Sequence, residues 1–452
     1  MLNQTVRAEI TPSGPQGFSA YSAFLKMRRN RLEFIRTMTH RYGSVSCLSI
    51  GGRHLVLVSS KSGIARVLKQ EVSNYKKGMG FSGGKEFFGD GLVTSEANTW
   101  RKQRTGMNPF FRQPAFSVWS SPIKKSISDC IGSIEERSKS GHVVNLEQCI
   151  GNLTCNILSC TIIGAPLDAR SLRHALLTVD AYANKKMTGI LPEPPLSHFR
   201  YKRAIRYIEK VTQAVIEHNR SQSNSTSLVS FLLSSDQEDI LNIHDQTASF
   251  LMAGQDNTTS LICWSLLLLA ANPGVQDDFR NSISRNPVGD DLSPRIIEDQ
   301  RYACAVMFEA MRLFPPVWAI PRRPLVDVEI DGYFVSRESE VLLLPFLLHR
   351  SAEDWKEPEK FSPSRFLESK SLTMLSLLGH LQKENLFVPF GVGPRACIGF
   401  QHALVVSIAV VTALIGRFKV SLLSDRALPA AMPRLSLRPH PSASLRFTPA
   451  AN

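Results

Sequence analysis

The stretch Phe387-Val-Pro-Phe-Gly-Val-Gly-Pro-Arg-Ala-Cys-Ile-Gly-Phe400 sets one cysteine, Cys397, in a glycine-punctuated loop that opens onto an apolar run. Gly391, Gly393 and Gly399 open backbone conformations that side chains forbid, and Pro394 stiffens the turn. Amides that follow the proline can then aim at the sulfur and lower its basicity, which suits a soft-metal ligand. A buried free thiol ahead of a helix fits the same spacing. Immediately downstream, Gln401 to Phe418 is apolar almost all round, as a helix buried beneath a cofactor is. It is too short and too polar-flanked to read as a membrane span.

Position for position, Phe390-Gly391-x-Gly393-x-Arg395-x-Cys397-x-Gly399 resembles the haem-binding loop of the cytochrome P450 family. The resemblance implies haem b (iron protoporphyrin IX) with the Cys397 thiolate as its axial metal ligand, donating electron density that favours O–O cleavage. It also implies Phe390 packed beside the sulfur and Arg395 on a haem propionate, as guanidinium–carboxylate geometry favours.

Working outward, further stretches extend the resemblance from about residue 20 to the end of the chain. Trp100-Arg-Lys-Gln-Arg104 puts an indole N–H and a guanidinium on one helix face. A basic surface helix with one half-buried Trp looks the same. Followed by Asn108-Pro-Phe-Phe, the pair resembles the family helix whose Trp and Arg hold the other propionate. In Ser249-Phe-Leu-Met-Ala-Gly-Gln-Asp-Asn-Thr-Thr-Ser260, Phe250, Ala253, Gly254 and Asn257 share one helical face with Asp256 beside it, so a flat ligand can lie there. The stretch resembles the family's oxygen-binding helix, with Ala253 and Gly254 against the cofactor and Asp256, Asn257 and Thr258 as the implied catalytic set. Asn257 stands where the first Thr is expected. That hydroxyl helps deliver protons during oxygen activation, whereas an amide hydrogen-bonds but relays protons poorly. Thr258 is next in line and faces another way.

Glu309-Ala-Met-Arg312-Leu-Phe-Pro-Pro316 spaces a carboxylate and a guanidinium at i, i+3 on a helix stopped by prolines, which is a common surface ion pair. It also resembles the family's buried structural pair, with Arg365 in the meander His349 to Phe366 as third partner. Arg322 matches a propionate-contacting position, although the adjacent Arg323 could serve instead. Val317 to Pro321 and Ala430 to Leu437 are expected to reach toward substrate. The expected pocket set is Val317, Ile320, Phe250 and the aromatic of the glycine-rich loop at Phe81-Ser82.

Composition narrows the function classes. The chain has 452 residues, 43% of them apolar, with 53 basic against 39 acidic side chains and a net charge of +14. No Lys/Arg run interleaves with aromatics as in a nucleic-acid binder, so an acidic protein partner is the better fit. Lys383, Arg395, Arg104 and Lys102 are the candidate docking residues. The eight cysteines contain no CxxC pair and read as reduced core residues apart from Cys397. The N-terminal segment has neither a signal-peptide core nor a span-length apolar run, which suggests a soluble, cytoplasmic protein. Microsomal members of the resembled family carry an N-terminal anchor, so the resemblance implies either a bacterial-type enzyme or one whose anchor has been removed.

Read for organisation, residues 1–19 form an extension and 20–452 a single domain. One basic helix is expected from Ala20 to Tyr42, then a hairpin turning at Gly51-Gly52. A glycine-rich loop over 76–90 faces substrate or is a plain surface loop. Residues 121–270 read as long helices with one interruption, Met187 to His198, which in the resembled fold is a lid. The expected fold is mainly α with a small β region, a triangular helical arrangement holding haem between the oxygen-binding helix and the cysteine-loop helix.

The expected activity is that of a monomeric monooxygenase inserting one atom of O2 into a lipophilic small molecule, in biosynthesis or secondary metabolism. No reductase, ferredoxin or flavin domain is appended, so electrons come from a separate acidic ferredoxin or flavodoxin with its reductase. The alternatives are a peroxide-driven or non-oxidative haem-thiolate enzyme, suggested by Asn257, and a haem-free helical binding protein.

Overall fold

Asn30 divides the first helical stretch in two. Helix α1 (Phe18–Arg29) ends there, and the Asn30 side chain accepts from the Glu33 amide to cap α2 (Arg31–Tyr42). The single helix expected over Ala20 to Tyr42 is thereby corrected: the apolar stripe continues through a cap signal, an Asn with a Glu three residues on. The computed structural model describes residues 10–79, 81, 84–85, 89–112, 116–188, 195–222, 226–235, 242–285, 289, 292–368, 372–423 and 428–450.

Gly51 and Gly52, at φ of 56° and 74°, make the expected tight turn between β1 (Val45–Ile50) and β2 (Arg53–Val58). Strands β3 (Tyr75–Lys77), β4 (Ile320–Pro324) and β5 (Glu340–Leu343) complete a sheet of order β1-β2-β5-β4-β3. Only the β2/β5 pair is parallel; the others are antiparallel, and the β3/β4 register sets Lys77 directly opposite Arg322.

The rest is helical. Helices α3 (Ala97–Arg112), α4 (Phe116–Lys139), α5 (Leu146–Leu158), α6 (Ala169–Thr188) and α7 (Pro195–Ser221) lead to α8 (Ile243–Ala271), which α9 (Arg301–Leu313) and α10 (Phe400–Arg417) pack against. Leu261 to Ala270 is buried residue by residue, as a helical run apolar but for Ser265 must be. The expectation of one interruption between 121 and 270 is too simple. Turns near Gly141 and Gly164, both at positive φ, and further breaks after Ser221 and after Leu233 also divide the stretch. Residues 189–194, the heart of the expected lid, lie outside the described residues. By length and composition α10 could cross a membrane, yet most of it is buried in the core.

The core is locked by a buried ion network. Arg312 donates through Nε and Nη2 to Glu309 at 2.7 and 2.9 Å, and Arg365 Nε donates to the same carboxylate at 3.1 Å. Arg312 also donates to the carbonyls of His349, Pro358 and Lys360. The meander is thus tied to α9, as expected from Glu309, Arg312 and Arg365.

Two interior histidines, His349 fully buried and His402 partly so, are held neutral. Burial, aided by Arg312 and Arg350, pushes His349 down to about 3, and burial pushes His402 down to about 4. His349 Nε2 accepts from the Val388 amide at 2.9 Å, a role protonation would abolish. An unfolded chain protonates both near pH 6.5, so stability is intact above that pH and falls below it, each group costing about 1.4 kcal/mol per pH unit. Urea midpoints at pH 7 and pH 5 are expected to differ accordingly, the lower at pH 5; equal midpoints would refute neutral burial.

Candidate active site

The cysteine loop is closed by its own backbone. The amide of Gly391 donates to Val388, that of Ala396 to Gly393, and that of Cys397 to the Phe390 carbonyl at 2.8 Å. Gly391 and Gly393 take φ of 67° and 75°, and a Cβ on Gly393 would stand 2.1 Å from the Leu68 carbonyl oxygen. Gly399 corrects the sequence reading. Its φ of −96° is open to any residue, and it serves as the N-cap position of α10. Its amide lies near the Cys397 sulfur and favours the thiolate. Phe390 packs its ring on Phe400, 5.9 Å between centroids.

Cys397 opens into a cavity of about 580 Å³ lined also by Trp100, Arg104, Asn108, Phe111 and Phe400. It is the one exposed cysteine of eight. Enclosure by the cavity walls raises its thiol through desolvation, opposed by the Gly399 amide and the Arg104 guanidinium. Arg104 Nη1 also donates to the Ala396 carbonyl at 2.8 Å, fixing α3 to the loop.

Beside this cavity lies an excess of buried positive charge. Lys77, Arg322 and Arg395 lie in the field of one carboxylate, Glu96, which Arg395 Nη2 contacts at 2.7 Å, while the Lys77 ammonium donates to the Leu92 and Ser95 carbonyls. Burial, with Arg395 and Arg322 adding repulsion, drives Lys77 down to about 7, and burial with Arg395 brings Arg322 down to about 10. Arg395 Nη1 and Arg322 Nε are buried without a partner. Such orphaned donors fit the two propionates of a haem, so the residues present suit the cofactor. Arg323 instead pairs outward with Glu340 at 2.9 Å. Lys77 was not singled out from the sequence; its signal is visible only in the cross-strand register that sets it opposite Arg322.

A second cavity, about 400 Å³, lies along α8 and is lined by Ala253, Asp256, Asn257, Val317 and, from the C-terminal hairpin, Arg434, Leu435 and Arg438. Strands β6 (Ala431–Pro433) and β7 (Leu437–Pro439) form that hairpin. The Leu437 carbonyl accepts from Ser260 Oγ at 2.6 Å and from Trp264 Nε1 at 2.8 Å, clamping the hairpin to α8. Arg438 consequently reaches Asp256 and forms an ion pair with it. Asn257 lines the cavity, and its side chain makes no hydrogen bond to a described residue. Thr258 bonds back to the Gly254 carbonyl at 3.3 Å and stays out of the cavity, as expected of a residue facing another way.

Three expectations change. Gly254 is covered by α5, where a Cβ would stand 2.7 Å from Leu158 Cδ1, so its smallness serves helix packing. Phe250 stacks on Phe111 at 5.7 Å and does not line the second cavity. Ile320 is buried in the sheet cluster while its strand neighbours Ala319 and Pro321 face the cavity. Phe81 does line the cavity; Ser82 lies outside the described residues.

A sequence model of the Cytochrome P450 family matches residues 12–447. Among characterised proteins, the chain is 25% identical to a cyclooctatin synthase of Streptomyces melanosporofaciens over 96% of its own length and 93% of that protein's. It is 24% identical to a chloroplastic carotene epsilon-monooxygenase of Arabidopsis thaliana over 86% and 77%, and 24% identical to a cyclooctat-9-en-7-ol 5-monooxygenase of Streptomyces melanosporofaciens over 92% and 90%. The chain belongs to the cytochrome P450 family, and is a haem-thiolate monooxygenase with a cysteine-ligated haem.

Proposed function

We propose that the chain inserts one atom of O2 into a neutral, lipophilic small molecule in biosynthesis or secondary metabolism. One observation carries this reading: each carboxylate lining the substrate cavity is already paired with an arginine, and Arg31, which has no carboxylate partner among the described residues, is engaged by the Asn184 side chain and the Pro433 carbonyl. Asp256 is held by Arg438, Asp180 by Arg434 at 3.6 Å, and Glu147 by Arg438 and Arg173 at 3.5 and 3.9 Å. The remaining wall is largely apolar, including Leu176, Leu177, Met252, Val317 and Leu435. An ionic substrate would have to break one of these pairs without compensation; a lipophilic one only displaces water. The relative named as a carotene monooxygenase supports the same substrate character.

Bound haem, with Cys397 as its thiolate ligand, supplies the oxygen activation. Trp100, Arg104, Arg322, Arg395 and Lys77 hold its carboxylates. Asp256 is the proton source and Arg438 fixes its position. Asn257 uses its amide to hold a water or the substrate within reach of Asp256. The enzyme acts as a soluble, cytoplasmic monomer reduced by an acidic ferredoxin or flavodoxin. Exposed Lys102 and Lys383 are offered for docking, whereas Arg395 and Arg104 are turned inward to Glu96 and Ala396.

Neutral lipophilic compounds are expected to shift the haem spin state, and the best of them to turn over only with O2 and an electron donor, more slowly as salt rises. Turnover with hydrogen peroxide alone, and none with O2 and donor, would instead support the peroxide-driven alternative. With that substrate, Asn257→Thr is expected to alter the product distribution with peroxide release about as low as in the parent. A large gain in the fraction of electrons reaching product would show that Asn257 uncouples the reaction.

A further inference from the structure

Away from both cavities, two cysteines that the oxygenation does not use face each other. Cys130 on α4 and Cys149 on α5 bring their sulfurs to 3.5 Å across 19 residues of sequence, the one sulfur–sulfur contact among the described residues. Both are partly exposed, so a small oxidant can reach them. Their protons are unequally shared. Burial opposes both thiolates, and the Arg137 guanidinium favours that of Cys149. Cys149 is thus the nucleophile and Cys130 the resolving thiol.

The opposite face of α5 bears on the catalytic helix. Gln255 Nε2 donates to the Gly151 carbonyl at 3.0 Å, the hydroxyls of Thr154 and Thr259 meet at 2.7 Å, and Leu158 covers Gly254. Whatever fixes α5 therefore steadies the stretch of α8 that carries Asp256 and Asn257.

We propose that Cys130 and Cys149 form a reversible disulfide, a peroxide-responsive strap between α4 and α5. Hydrogen peroxide is the oxidant. The Cys149 sulfur attacks one peroxide oxygen, the O–O bond breaks, and a sulfenic acid and a water result. Cys130 then attacks that sulfur and the hydroxyl leaves as a second water. Two thiols and one peroxide become one disulfide and two waters, the sulfurs giving up the two electrons that the peroxide gains. Oxygen-activating enzymes release peroxide when electron and proton delivery fall out of step, so this oxidant arises where the strap can sense it.

The test treats the reduced holoenzyme with hydrogen peroxide, blocks free thiols with N-ethylmaleimide and digests without reductant. The expected product is a linked peptide pair joining Cys130 to Cys149, lighter by two hydrogens than its parts and released by dithiothreitol. Cys130→Ser and Cys149→Ser should each lack it and keep the thiolate-type haem spectrum. The oxidised parent should melt higher by about 2 to 4 °C, as a cross-link across a short loop does, and the serine variants should not. Recovery of both cysteines as maleimide adducts, or of Cys149 as a sulfinic acid beside a free Cys130, overturns the pairing. A linked peptide with an unchanged melting temperature overturns the strap.

Discussion

Cys397→Ser is expected to abolish, completely, the far-red-shifted absorption that thiolate ligation gives the reduced carbonyl complex. The loop should survive the change. Its closure depends on the Cys397 amide bonding the Phe390 carbonyl and on the two left-handed glycines, none of which involves sulfur. The variant is therefore expected to keep its far-ultraviolet dichroism and lose the band together with turnover. A variant that retained the thiolate-type spectrum would place the ligand on another residue and undo the site described above.

Glu309→Ala is expected to collapse the yield of haem-loaded protein. Removing this carboxylate strands Arg312, fully buried, and Arg365 beside it, and leaves the Ser362 amide without its acceptor at 2.8 Å. Breaking one member of a buried pair costs about 3 to 5 kcal/mol, a large share of the roughly 5 to 15 kcal/mol that holds a domain folded. The measurement is haem content per chain together with the urea midpoint. A normally folded, fully loaded variant would mean that the carbonyls of His349, Pro358 and Lys360 suffice to hold Arg312.

The parts legible from sequence were those whose chemistry is local. The cysteine loop, the glycine hairpin and the Glu309–Arg312 spacing each announce a conformation within a few residues, and each is found where expected. What escaped depends on register or on distant partners. Arg438 lies 182 positions from Asp256 in the numbering, and nothing near either residue signals their pairing. Lys77 sits in a short strand whose side chains acquire meaning only opposite Arg322. Ile320 escaped because nothing local tells which residues of Val317 to Pro321 turn to the cavity; only the pairing of β4 in the sheet sends Ile320 into the sheet cluster. Gly254 was assigned to a ligand on the sound ground that small residues permit close approach, but the approaching group is Leu158.

The clamp at Leu437 also bears on how the chain is made. Ser260 and Trp264 find their acceptor 177 and 173 residues further on, and Arg31 donates to the Pro433 carbonyl across 402 residues. During synthesis, α8 must therefore wait with an unanswered indole and hydroxyl, and the floor of the cavity stays unfinished, until residue 437 has left the ribosome. Contacts of such separation form late. Haem loading is accordingly expected to require the hairpin, and nascent chains stalled before it should hold no haem.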